Sequence, residues 1–136
     1  MANMKIDAVE GIGPAYAEKL QAAGIKDTDA LLEKACAPAG RKGLEAATGI
    51  SGKLILKWAN MVDLFRIKGV GAEFAELLEC AGVDTVKELR NRNAANLATK
   101  MAEVNEEKKL TRAVPSEKQV TGWIEQAKGL PPKIEH

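Results

Sequence analysis

Aromatic residues make up only 4% of this 136-residue chain, and its single histidine is the last residue, His136. Few aromatics beside abundant Ala, Leu, Lys and Glu disfavour a sheet and predict an all-α protein of closely packed helices. One terminal histidine supplies no Ser/His/Asp or Cys/His catalytic set and no histidine-based metal cluster. Cysteine is nearly as scarce: Cys36 and Cys80 stand far apart, with no C-x-x-C pair. That excludes a secreted disulfide scaffold and predicts reduced thiols in a cytosolic protein, serving as small buried hydrophobes. No run approaches the ~20 apolar residues of a membrane span, and Met1 to Asp7 lacks the apolar core of a signal peptide, so a cytoplasmic, membrane-free protein is expected. Charge of one sign is missing too. A net charge of +1 and a pI near 7.7 provide no global attraction to a polyanion, and any such partner must be argued from local charge. There is no Walker loop and no G-x-G-x-x-G after a strand, so neither an enzyme nor a bound cofactor is expected.

What the chain does have is a repeated stretch. Val9-Glu10-Gly11-Ile12-Gly13-Pro14-Ala15-Tyr16-Ala17-Glu18-Lys19-Leu20 returns as Ile67-Lys68-Gly69-Val70-Gly71-Ala72-Glu73-Phe74-Ala75-Glu76-Leu77-Leu78. Gly11, Gly13, Ala17, Leu20, Gly24 and Leu31 match Gly69, Gly71, Ala75, Leu78, Gly82 and Leu89 at one offset of 58 residues. Ser51-x-Lys53 with Trp58 matches Ser116-x-Lys118 with Trp123 at an offset of 65, so the second copy has gained about seven residues in between. The length suits one compact domain or two small halves. The boundaries predicted are a first repeat at 1–62, a second at 63–130 and a tail at 131–136, with the halves sharing one core or forming two.

Local chemistry sets the element ends. Pro14 opens a helix where a residue without an N–H is tolerated, and Gly24 with Ile25, like Gly82 with Val83, closes one with a left-handed cap and an apolar contact. The following helices start at Asp27 or Thr28 and at Asp84 or Thr85, where Thr85-x-x-Glu88 has capping-box spacing. Ala37-Pro38-Ala39-Gly40 reads as a loop leading to a short helix near Leu44 to Ala47, stopped at Gly49. Ser51 caps a helix carrying Leu54, Ile55, Trp58, Met61 and Val62; another runs from Ala94 to about Glu107; Ser116-x-x-Gln119 caps the last, ended at Gly129 to Pro132. Trp58, Trp123, Tyr16 and Phe74 fall at apolar helical positions and are assigned to packing.

These two stretches resemble the helix-hairpin-helix motif, and the whole chain resembles a family of uncharacterised bacterial proteins built from tandem units of it. The resemblance implies a fold of duplicated helix-hairpin-helix units, each followed by further amphipathic helices. It also implies sequence-independent contact with nucleic-acid backbone through the hairpin amides of Gly11, Ile12 and Gly13 and of Gly69, Val70 and Gly71. Free N–H groups at a helix start, with the helix dipole behind them, suit a phosphate. Lys19, Lys68, Lys87, Arg90 and Arg92 are the cations that would assist. The departures are Pro14-Ala15 and Ala72-Glu73, where DNA-binding members commonly carry a lysine or arginine. Glu73, Glu76 and Glu79 would repel phosphate, which leaves the first hairpin as the better site. From Lys87 to Lys133 there are ten Lys or Arg against six Glu, and Arg41-Lys42 forms a smaller basic spot. The expected function is a non-catalytic binding module on nucleic-acid backbone. The alternative is a protein-interaction or assembly module in which the hairpins are structural corners and the acidic face meets a protein partner.

Overall fold

Every backbone group at a helix end needs a partner, and the caps of this chain show how its helices begin and stop. The computed structural model describes Asn3–Glu135, so His136 and the first two residues of the N-terminal stretch lie outside the described residues. Among the described residues the protein is all-helical, as the composition predicts. A 3-10 turn at Ile6–Ala8 precedes α1 (Pro14–Ala22), α2 (Thr28–Ala35), α3 (Pro38–Thr48), α4 (Gly52–Leu64), α5 (Ala72–Cys80), α6 (Val86–Leu89), α7 (Ala94–Lys108) and α8 (Glu117–Lys128). One isolated bridge, Lys5 with Asp27, is the only strand-like pairing described. No described helix is long and apolar enough to cross a membrane. Contacts divide the chain into two compact units: one runs through Asp63 and takes back the chain from Lys133, and the other is Leu64–Pro132.

In the first unit, Ile6, Leu20, Leu31, Leu32, Leu44, Ile55 and Trp58 form a fully buried core. Its N-terminal segment is pinned to the start of α2. Met4 N–H donates to Thr28 Oγ1 at 3.0 Å, Thr28 N–H returns to the Met4 carbonyl at 2.9 Å, and Ile6 N–H donates to the Lys26 carbonyl at 3.3 Å. Asp27 caps α2 by accepting from Ala30 N–H at 2.8 Å. α1 ends as its Gly24 and Ile25 foretell: Gly24 has φ 90°, and Ile25 N–H donates back to the Leu20 carbonyl at 2.9 Å, the long bond of a Schellman cap. Ser51 accepts from Leu54 N–H at 3.3 Å and starts α4.

One segment differs from its reading. Ala37 is extended, but Pro38 to Gly40 are not a loop: Pro38 occupies the first turn of α3, which runs eleven residues to Thr48 and stops at left-handed Gly49 (φ 74°). Proline at that position is pre-set for a helix, and Gly40 is there because α3 approaches the end of α2. A Cβ built on Gly40 would stand 1.8 Å from the Lys34 carbonyl oxygen. Arg41 follows it into the interior, and it is therefore not part of a surface basic spot. The residue is 7% exposed, and its guanidinium donates to backbone carbonyls.

In the second unit α7 packs on α5 and on α8, and α8 on α6. Leu77, Leu78, Val83, Val86, Leu89, Met101 and Val120 have no appreciable exposure. Gly82 (φ 96°) and the Val83 N–H to Leu78 carbonyl bond, 2.8 Å, close α5 as their counterparts close α1. The capping box at α8 is complete, with Gln119 N–H on Ser116 Oγ at 3.1 Å and Ser116 N–H on Gln119 Oε1 at 3.0 Å. The one at α6 is half made: Thr85 Oγ1 accepts from Glu88 N–H at 3.2 Å, but the Glu88 carboxylate turns instead to Arg92 at 2.6 Å. Buried Asn105 stitches the polar interval after α7, giving to the Thr111 carbonyl at 3.0 Å and accepting from Thr111 N–H at 2.9 Å.

Candidate functional site

Each Gly-x-Gly stretch makes the same four-residue turn. Ile12 N–H closes on the Val9 carbonyl and Val70 N–H on the Ile67 carbonyl, both at 3.1 Å. The third residue of each turn has positive φ, 91° at Gly11 and 95° at Gly69, a conformation that favours glycine. Under each turn lies a tryptophan. A Cβ on Gly11 would meet Trp58 Nε1 at 3.2 Å, and one on Gly69 would meet Trp123 Nε1 at 3.1 Å. Tyr16 packs on Trp58 with ring centroids 5.1 Å apart, and Phe74 on Trp123 at 5.3 Å. The aromatics read as packing residues are thus what the turns rest on.

The second glycines behave differently. Gly13 (φ −82°) and Gly71 (φ −103°) are extended N-cap residues of α1 and α5, with no side-chain cap. A Cβ added at either meets nothing within 4 Å. The backbone demand for glycine therefore falls on Gly11 and Gly69, and not on Gly13 or Gly71. Gly69→Ser should lower stability by about 1–2 kcal/mol for the left-handed backbone alone. Gly71→Ser should be neutral or stabilising by a few tenths of a kcal/mol, because serine is a good N-cap. Urea melts of the two variants read the contrast directly.

The predicted site residues divide accordingly. Ile12 and Val70 are buried and their amides close the turns, so neither offers a free donor. Gly11, Gly13, Gly69 and Gly71 are exposed. Ahead of the first in-helix bonds, Ala17 N–H to the Gly13 carbonyl and Ala75 N–H to the Gly71 carbonyl (both 2.9 Å), lie the first-turn amides of Ala15 and Tyr16 in one turn and of Ala72, Glu73 and Phe74 in the other. Pro14 contributes none. Lys19 is exposed on α1, about 9 Å along the helix axis from Gly13 at 1.5 Å per residue. Lys68 is exposed, but its peptide is clamped: the N–H donates to Gln126 Oε1 at 2.8 Å, and Gln126 Nε2 donates to its carbonyl at 3.2 Å. Sequence reasoning missed Gln126. Its signal was the i+3 spacing from Trp123, where the first copy has Met61 at the matching distance from Trp58.

Lys87 is exposed and Arg90 half-buried at the end of α6. Arg92 donates to the Gly82 carbonyl at 2.8 Å and pairs with Glu88. Gly82 follows the end of α5, whereas Gly71 begins it, about 14 Å away along a nine-residue helix. The structure therefore does not bring Arg92 to the Gly69-Val70-Gly71 turn; it uses that side chain to cap a helix end. Among the described residues no group of three His, Cys, Asp or Glu could hold a metal ion.

Fold and turns define an all-α protein in which a glycine turn, seated on a tryptophan, precedes two of the helices. The model of a family described as a domain of unknown function, DUF4332, matches residues 10–130, and the chain belongs to that family. No curated protein and no solved structure matches it.

Proposed function

We propose that the two turns are helix-hairpin-helix hairpins in a duplicated fold, and that the protein is a non-catalytic module that contacts nucleic-acid backbone through the first of them. The observation that carries this reading is Gly13, a glycine that the fold does not require. It has ordinary φ and open space in front of it, at a helix start where serine or aspartate would cap better. A bare glycine there leaves the first-turn N–H groups of α1 accessible to an anion, and the first helical turn of α1 contains no acidic residue. The second hairpin is the poorer site, because Gln126 occupies the Lys68 peptide and Glu73 sits in the first turn of α5. Lys19 adds the nearby positive charge. Such contact positions a strand or duplex without reading bases.

The test exploits the cap. Gly13→Asp should leave the fold intact, since aspartate is a preferred N-cap, while placing a carboxylate where the phosphate would lie. Fluorescence anisotropy with labelled duplex and single-stranded DNA at low salt should show binding that weakens as salt rises. Binding should fall at least tenfold in Gly13→Asp and in Lys19→Glu, and be little changed in Gly71→Asp. Absence of wild-type binding at low salt, or binding indifferent to Gly13→Asp, would overturn the proposal. The protein-partner alternative has less support: Val114 is the one exposed large hydrophobic residue described, and of the acidic set Glu73, Glu76 and Glu79 only Glu73 is exposed.

A further inference from the structure

The last described residues are held by their main chain, and buried arginines do the holding. In the second unit Arg66, 8% exposed, donates to the Pro131 carbonyl at 2.6 Å. In the first unit Arg41 spans two acceptors. Its Nη1 donates to the Ala35 carbonyl at the end of α2 (2.9 Å), and its Nη2 to the Glu135 carbonyl at 2.7 Å, 94 residues away in sequence. Glu135 N–H donates to the Cys36 carbonyl at 2.7 Å, and Ile134 is buried. Both polar groups of the Glu135 backbone are thus engaged, and the preceding side chain is out of water.

A buried guanidinium is tolerated only when its rigid fork of donors is matched, and here the matching acceptors are carbonyls of the α2 end and of the returning segment. We infer that the corner between α2 and α3, built from the Cys36 carbonyl, the Arg41 guanidinium and an apolar seat, is a binding site for an extended peptide. It takes an aliphatic side chain and reads the following residue through its N–H and C=O. Lys133–Glu135 is its resident occupant and acts as a detachable latch on the first unit. Recognition through the main chain, with one side chain selected, is the chemistry by which extended peptides are commonly held. The charged side chains of Lys133 and Glu135 are not what the Arg41 and Cys36 contacts select.

Hydrogen exchange on the full chain tests the latch. The Glu135 amide should exchange at least tenfold more slowly than in a free peptide, and Ile134→Asp should return it to the free-peptide rate. Exchange at the free-peptide rate in the wild type, or protection unchanged by Ile134→Asp, would overturn the inference. A second arm uses the chain shortened after Pro132 and a labelled peptide of residues 130–135. Saturable binding to the shortened chain, abolished in the peptide by Ile134→Asp and at least tenfold weaker to the full chain, supports the site. No binding to a shortened chain whose circular dichroism and melting match the full chain would refute it. If the shortened chain does not fold, the exchange experiment alone decides.

Discussion

Trp58→Ala should destabilise the protein by about 3–5 kcal/mol, the range for removing a buried tryptophan and leaving a cavity. Trp58 is 1% exposed, so its loss removes almost a whole ring system from the core of the first unit. The loss also reaches two neighbours that shape the candidate site. Tyr16, on α1, loses its edge-on ring partner, and the turn at Gly11 loses the indole beneath it. Trp123→Ala should cost a similar amount for the same reasons, through Phe74 and Gly69. Trp58→Phe leaves a smaller cavity than Trp58→Ala and should cost less, about 1–3 kcal/mol. Because the chain has two tryptophans, each single variant leaves one as the fluorescent reporter, and urea melts can be followed by that reporter and by circular dichroism together. A loss below 1 kcal/mol in Trp58→Ala would contradict the packing described.

The second large effect is expected at Gly40. A methyl group there would have to occupy space 1.8 Å from the Lys34 carbonyl oxygen, well inside contact distance, and the obstacle is backbone, not a side chain that can swing away. Overpacking of this kind costs about 1–3 kcal/mol and more when the neighbour cannot yield. Gly40→Ala should therefore reach at least the upper end of that range, although alanine is the better helix former by about 1 kcal/mol. Gly43 supplies the control. It lies in the same helix with nothing within 4 Å of its Cβ position, so Gly43→Ala should stabilise by up to about 1 kcal/mol. Thermal melts of the pair read opposite signs; equal shifts would show that α3 does not approach α2 as closely as described.

These glycines mark what could be read from the sequence and what could not. The Gly24-Ile25 and Gly82-Val83 caps and the Ser116-x-x-Gln119 box were legible because each acts within six residues of chain. The start of α3 was not. Pro38 to Gly40 has the composition of a loop, and only the proximity of the Lys34 carbonyl explains a glycine inside a helix. Arg41 looked like surface charge because one of its acceptors, the Glu135 carbonyl, lies 94 residues ahead. In the candidate site, a Gly-x-Gly spelling announces a tight turn but not which glycine carries the positive φ. The division between Gly69, bound by backbone and tryptophan, and Gly71, bound by neither, emerges only in three dimensions. The Gln126 clamp on Lys68 was hidden for the same reason, its partners being 58 residues apart.

The proposal that the first hairpin alone meets nucleic-acid backbone is tested most directly by amide shifts in a heteronuclear NMR titration with a short duplex at low salt. The expected result is a localised, salt-sensitive shift of the Gly11, Gly13, Ala15 and Tyr16 amides, with Gly69, Gly71 and the Gln126-clamped Lys68 amide unmoved. Shifts confined to other residues, or none at all under those conditions, would contradict it.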